Sequence, residues 1–206
     1  VSVREDSAIN LLRDNLGRPD AIHVLDPTML LRPEQYAKIV EKEQINSSAG
    51  DLKVYVLDKT SEKDNVIHII EDKLHLKAFE VLPQKSVREK KVTKHNLDKF
   101  VYPNPALWLR GFQDARYVIT DSFHGTVFSI LHNIPFITIG NAKRGMSRFQ
   151  SLLTMFGLQD RLITDLASFD ANKLIAKDID WLQVNKILDL ERKKAIDFLK
   201  YGIKQI

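Results

Sequence analysis

The residues best equipped for chemistry lie in YVITDSFHGTVFSILHNIPFITIG, residues 117 to 140. An apolar run ends in Thr120, Asp121 and Ser122. Phe123, His124 and Gly125 then lead into a second apolar run. A polar cluster between two segments that both read as buried is a strand-to-helix turn. His124 falls in the first turn of the predicted helix, beside backbone N–H groups with no partner inside the helix and at the positive end of the macrodipole. Helix starts of this kind hold phosphates and carboxylates. An imidazole there can donate a proton or a hydrogen bond near neutral pH, or simply bond a neighbouring loop. Gly125 removes a side chain beside it, which would let a ligand approach the backbone. Thr120, Asp121 and Ser122 can each cap the helix, and capping alone would account for Asp121.

The next apolar run, PFITIG, is followed by NAKRGMSRF, which brings Lys143, Arg144 and Arg148 close to two glycines. These side chains suit phosphate and carboxylate, arginine through paired N–H donors. Ordinary surface charge explains Lys143 and Arg148 equally well, and Arg144 better. Arg4 follows the strand-like VSV and either reaches the same crevice or pairs with Glu5 or Asp6. Asp26 after IHVL and Asp58 after VYVL read as caps of helices or turns. No dinucleotide fingerprint, phosphate-binding P-loop, nucleophile elbow or H-E-x-x-H is present. His68 and His75 lack carboxylates at metal-ligand spacing, so no metal or other cofactor is assigned. His23, inside a strand, reads as a buried histidine.

Elements must position these groups. AIHVLD (21 to 26), LKVYVLD (52 to 58), AFEVL (78 to 82), YVIT and PFITIG read as strands. Pro33 opens a helix through Tyr36, Ile39 and Val40. Thr60 or Ser61 caps another, with Val66, Ile67, Ile70 and Leu74 as its stripe. Asn104-Pro105 opens a third, with Leu107, Leu109 and Phe112 toward the core. Residues 123 to 132 form a fourth, and Ser147 to Phe156, ended by Gly157, a fifth. The tail from 171 to 206 reads as helical, with Trp181, Leu182, Ile187, Leu188, Ala195, Phe198 and Leu199 as its apolar positions. Alternating short apolar strands and helices predict an α/β fold: a Rossmann-like parallel sheet covered by helices on both faces. Such sheets bind ligands beyond the carboxyl ends of their strands, which is why the residues after each strand matter.

Composition narrows the function. With no cysteine, disulfides, thiolate catalysis and cysteine-bound zinc are excluded. No apolar run reaches the roughly 18 residues of a membrane span, and the charged start VSVREDSAIN has no signal-peptide core. A cytoplasmic protein is expected. The net charge of +4 favours anionic partners. Residues 83 to 103 lack periodicity and read as an exposed loop. Its basic run, KSVREKKVTKH, has no interleaved aromatics, so it reads as solvated rather than as a nucleic-acid site.

Together VSVRE, VLDPTMLL, FVYPNPALWLRGFQDARYVITDSFHGTVFSILHNIPFITI and KRGMSRFQSLLTMFGL resemble the polysaccharide pyruvyl transferase family, over about residues 1 to 160 with a loose match from 60 to 100. The resemblance implies transfer of an enolpyruvyl-derived unit from phosphoenolpyruvate to a hydroxyl pair of a capsular or exopolysaccharide sugar, giving a pyruvate ketal. It implies a glycosyltransferase-B-like fold with the site between two Rossmann-like halves. This chain corresponds to the second half: residues 1 to 170 as a donor-binding domain, and 171 to 206 as a helical segment packing back toward the other half. That first half is expected outside the chain, in keeping with a start that has no initiator Met, and this chain alone is expected to be inactive.

By the same resemblance Arg4 binds the donor, and His124 is the general acid or a donor-phosphate ligand. Relatives often carry an arginine where this sequence has Ser122. Lys143 or Arg148 would have to supply the missing charge. Partners are then an anionic donor and a glycan or lipid-linked saccharide acceptor, the latter placing the protein at the periphery of the inner membrane. A nucleotide-sugar glycosyltransferase of the same architecture and a non-catalytic domain of a polysaccharide-assembly protein are the competing readings.

Overall fold

The structure is a computed structural model, and it describes residues 1–83, 92–140 and 145–203. In chain order, β1 (Ser2–Val3), α1 (Ser7–Leu16) and β2 (Ile22–His23) are followed by a 3-10 turn at Pro27–Leu30 and α2 (Pro33–Lys42). Next come β3 (Leu52–Tyr55), α3 (Ser61–Leu74), β4 (Ala78–Glu80), α4 (Pro105–Asp114), β5 (Tyr117–Thr120), α5 (Phe123–Leu131) and β6 (Phe136–Ile139). The chain closes with α6 (Met146–Met155), β7 (Leu162–Ile163), α7 (Ala171–Ala176) and α8 (Trp181–Ile203). Strands β1 and β2 form a small parallel pair. The other five form one parallel sheet in the order β4-β3-β5-β6-β7. The chain is thus α/β and Rossmann-like, as its pattern predicts.

Side-chain alternation on the strands divides the interior into two cores. Leu52, Val54, Ile119, Ile137 and Ile139 point to one face, where Val66, Ile67 and Ile70 of α3 cover them. Val118 and Phe136 point to the other, against Leu109 and Phe112 of α4, Val127 and Phe128 of α5 and Phe149 of α6. Both faces are buried, so the strands carry near-continuous apolar runs.

Helix starts follow the residues that predicted them. The Thr60 side chain accepts from the Lys63 N–H at the head of α3, and Asn104 accepts from Ala106 N–H ahead of Pro105 in α4. The pattern fails elsewhere. Leu107 lies on the exposed side of α4, because the turn through Ala106, Leu109 and Phe112 is the one that meets the core. The tail is two helices, and Leu182 and Leu199 are exposed while Val184, Leu188 and Ala195 of α8 join the core. Arg192 anchors α8 by donating through Nε to the Met29 carbonyl at 3.0 Å. The strand expected over 52 to 58 stops at Tyr55, for a reason given below. The basic run is described only from Val92 onward, since residues 84–91 lie outside the described set.

One core position breaks the apolar rule. Lys53 on β3 is fully buried, and its ammonium donates to the Trp108 carbonyl at 3.2 Å. It lies 4.6 Å from the centroid of Phe112 and 5.4 Å from that of Phe79. Gly111 makes the room, because a Cβ there would sit 2.3 Å from the ammonium. Cation–π contacts and one carbonyl only partly replace hydration. Desolvation therefore pushes the Lys53 pKa down to about 7 from 10.5. Between those values the unfolded chain binds the proton that the native one lacks, so this residue's contribution makes stability rise with pH across that window. Below it the burial penalty is fully present. Lys53→Met is expected to stabilise the fold by about 1–4 kcal/mol at about pH 6, with the gain shrinking by about pH 9, as measured by denaturant unfolding at the two pH values.

Candidate functional site

The sheet order reverses between β3 and β5, and counting only its own strands it reads 2-1-3-4-5. Ligands of open sheets ordinarily bind at that switch point. Here the position is filled by protein. Asp121, fully buried, accepts from the backbone N–H of Leu57 at 2.7 Å and of Asp58 at 3.1 Å. Its other partner is the Lys63 ammonium at 2.7 Å, which also donates to the Asp58 carbonyl at 2.7 Å. Asp121 is therefore no helix cap. It ties the end of β5 to the turn after β3, and turning the Leu57 and Asp58 N–H groups toward it ends β3 at Tyr55. Thr120 adds to the knot by donating to the Tyr55 carbonyl at 2.7 Å.

The cluster of candidate residues lies beside this plug, at the start of α5. Ser122 occupies the N-cap position, but its hydroxyl makes no capping hydrogen bond, so among the described residues no side chain is seen to cap the first turn. Gly125 packs against β5: a Cβ there would lie 2.2 Å from Thr120 Oγ1. Its missing side chain thus serves strand–helix contact, and the space beside it is not ligand space. His124 projects from the same turn, with 45% of its side chain exposed.

Three other elements bring charge to this point. Arg4, after β1, donates from Nη1 to Asp26 Oδ2 at 3.0 Å, and its guanidinium lies 5.2 Å from the Phe123 ring centroid. Arg148, in the first turn of α6, lies 5.7 Å from the same centroid. Asp26, after β2, also lies 3.7 Å from His124 Nε2. The β1–α1 turn is stitched to α6: Ser147 Oγ donates to Glu5 at 2.9 Å, and Asp6 N–H donates to Ser151 Oγ at 3.0 Å. His23 Nε2 is 3.5 Å from that Ser151 hydroxyl. Phe123 is thus a buried apolar post against which two guanidinium groups pack, with His124 next to it in the chain.

Sequence reasoning ranked Arg4, His124 and Arg148 as candidates, and the structure brings these three together. Lys143 and Arg144 lie outside the described residues. Asp26 was read only as a cap. It is one, accepting from Thr28 N–H at 3.0 Å and Thr28 Oγ1 at 2.7 Å. It is also the buried anion of the cluster. Burial by itself would raise its pKa, but His124 and the two Thr28 donors together hold the carboxyl well below the usual range. No sequence signal joins Asp26 to Arg4 or His124, because strand pairing and helix packing create that proximity. Among the described residues no group of histidines and carboxylates could hold a metal ion, and no helix is long and apolar enough to cross a membrane.

A family model described as polysaccharide pyruvyl transferase matches residues 1–143. That span holds Arg4, Asp26, Ser122 and His124, together with the sheet strands β3 to β6. No curated protein matches the chain.

Removing Asp121 would strand Lys63 as a buried, unpaired charge and orphan two backbone N–H groups. Asp121→Ala is expected to cost about 3–5 kcal/mol in denaturant unfolding, whereas the same change at a solvent-exposed carboxylate such as Asp14 is expected to leave the unfolding midpoint nearly unchanged. Gly125→Ala forces the new methyl into Thr120, with an expected loss of about 1–3 kcal/mol in the same assay.

Proposed function

The chain belongs to the polysaccharide pyruvyl transferase family, and from that premise we propose that it acts as the donor-binding part of a transferase that moves a pyruvyl group from phosphoenolpyruvate to a hydroxyl pair of a surface-polysaccharide sugar. The observation that carries the reading is one juxtaposition. Arg4 and Arg148 pack on Phe123, and His124 lies beside them at the start of α5, which the Ser122 side chain does not cap.

Phosphoenolpyruvate carries a phosphate and a carboxylate on a small enol. Two guanidinium groups can each clamp an anionic pair of oxygens, and the helix start adds N–H donors and a favourable dipole. For transfer, one sugar hydroxyl adds to the enol-phosphate carbon and gives up its proton as a proton reaches the methylene carbon. The phosphate then departs with the bonding electron pair. The second hydroxyl adds to the same carbon and loses its proton, closing the ketal. His124 is the group placed to give the first proton or to hold the departing phosphate. Arg148 provides a second guanidinium where the chain has Ser122 instead of arginine. The acceptor is taken to be a glycan or lipid-linked saccharide, and the reaction is assigned to the cytoplasmic side of the membrane.

Two measurements test this. In a thermal-shift comparison on the full-length protein, phosphoenolpyruvate is expected to raise Tm where UDP- and GDP-sugars do not; a shift with the nucleotide sugars alone would replace the proposal with a glycosyltransferase reading. In a phosphate-release assay with an acceptor panel, His124→Ala is expected to lower kcat by about 100-fold or more. Undiminished turnover would remove His124 from the chemistry.

A further inference from the structure

The two oxygens of Asp26 are committed in opposite directions. Oδ1 is taken by the Thr28 backbone N–H at 3.0 Å and the Thr28 hydroxyl at 2.7 Å. Oδ2 faces Arg4 Nη1 at 3.0 Å and His124 Nε2 at 3.7 Å. A turn cap needs only the first set. The second is not required by the 3-10 turn at Pro27–Leu30, whose N-cap hydrogen bond uses Oδ1 alone.

The side chain of Asp26 is 2% exposed, while those of Arg4 and His124 are 40% and 45% exposed. The carboxylate is therefore the fixed member, and the Arg4 and His124 side chains are the adjustable ones. Thr28, by holding Oδ1 through two donors, fixes the carboxylate plane and so the direction of Oδ2. Pro27 at the start of the turn keeps that backbone rigid. We infer that Asp26, locked by Thr28, is a positioning residue that aligns Arg4 and His124 on one shared oxygen so that both face the crevice.

This rests on the reading of Arg4 and His124 as donor ligands. Among the described residues, the other charged groups near the cluster are Arg148, on the same Phe123 ring, and Glu5, which is turned to Ser147. Neither is in contact with Asp26 in the described geometry. The arrangement parallels the general use of a carboxylate to fix the ring plane and tautomer of a working histidine. The 3.7 Å separation exceeds hydrogen-bond reach, and catalytic contacts of this kind often close only when substrate binds.

The test uses the full-length protein and the variants Asp26→Asn, Thr28→Val and Thr28→Ser. Thr28→Val keeps every charge and removes one donor to Oδ1; Thr28→Ser restores that donor. Two readouts are taken. One is the imidazole nitrogen signal of His124 by NMR, which needs no turnover. The other is kcat and KM for phosphoenolpyruvate. The expected result is a displaced His124 Nε2 signal in Asp26→Asn, a smaller displacement in Thr28→Val, and return in Thr28→Ser. In parallel kcat falls by about 10–100-fold for Asp26→Asn, with a smaller change in KM, and Thr28→Ser recovers the wild-type value. If Asp26→Asn does not fold, Thr28→Val against Thr28→Ser decides alone. An unchanged His124 signal in folded Asp26→Asn or Thr28→Val overturns the inference and leaves Asp26 as a cap. Absence of turnover in the wild type with phosphoenolpyruvate would overturn the proposed function instead, while the NMR comparison still decides the positioning role.

Discussion

The architecture around the crevice depends on one buried carboxylate. Asp121 sits where the sheet reverses direction and gathers two backbone N–H groups and one ammonium. A fully buried charge survives only with partners of this quality. Satisfying it dictates several things at once. The turn after β3 must curl inward, so the strand ends at Tyr55. Lys63 must enter from the first turn of α3, which fixes where that helix begins. Because Asp121 looks toward β3, the residues after it are turned the other way, and α5 starts facing the small β1–β2 pair.

That rotation explains why the cationic crevice is displaced from the usual place. With the switch point plugged, the candidate groups gather at the carboxyl edge where α5, the loops after β1 and β2, and the start of α6 meet. Each contributes one charged group: His124, Arg4, Asp26 and Arg148. The guanidinium groups of Arg4 and Arg148, close together on one ring, repel, and two features hold them. Asp26 offsets part of the charge from a buried position, and Phe123 gives both guanidinium groups an aromatic surface worth about 0.5–2 kcal/mol each. Glu5 is turned to Ser147, so the two guanidinium groups meet one carboxylate in the described cluster. A crevice built like this remains attractive to a small dianion, in agreement with the donor proposed for it.

Much of this was legible in the chain because the relevant physics is local. Apolar runs of four residues mark β5 and β6, and Asn104-Pro105 and Thr60 mark helix starts through bonds to residues two or three positions away. His124 could be placed because strand end and helix start adjoin in sequence. What escaped is what long-range pairing makes. Asp121 looks like a cap until its partners, 58 to 64 positions distant, are known. Lys53 interrupts a strand pattern without announcing the aromatic ring set that shelters it. Helix α1 has no buried residue and hence no stripe to read, and β7 is two residues long, too short for alternation to register.

Ser122 is where the resemblance and the geometry meet. An arginine here would stand directly before Phe123, beside two guanidinium groups already packed on that ring. The described cluster has a single buried carboxylate facing it, and that carboxylate already serves Arg4 and His124 through one oxygen. A third guanidinium would raise like-charge repulsion without a further buried anion to offset it. A small hydroxyl at 122, leaving the helix start without a side-chain cap, keeps the N–H groups available to a ligand while Arg148 carries the charge from α6. On this argument Arg148, reaching in from α6, is the guanidinium on which the donor reading depends where the chain has Ser122.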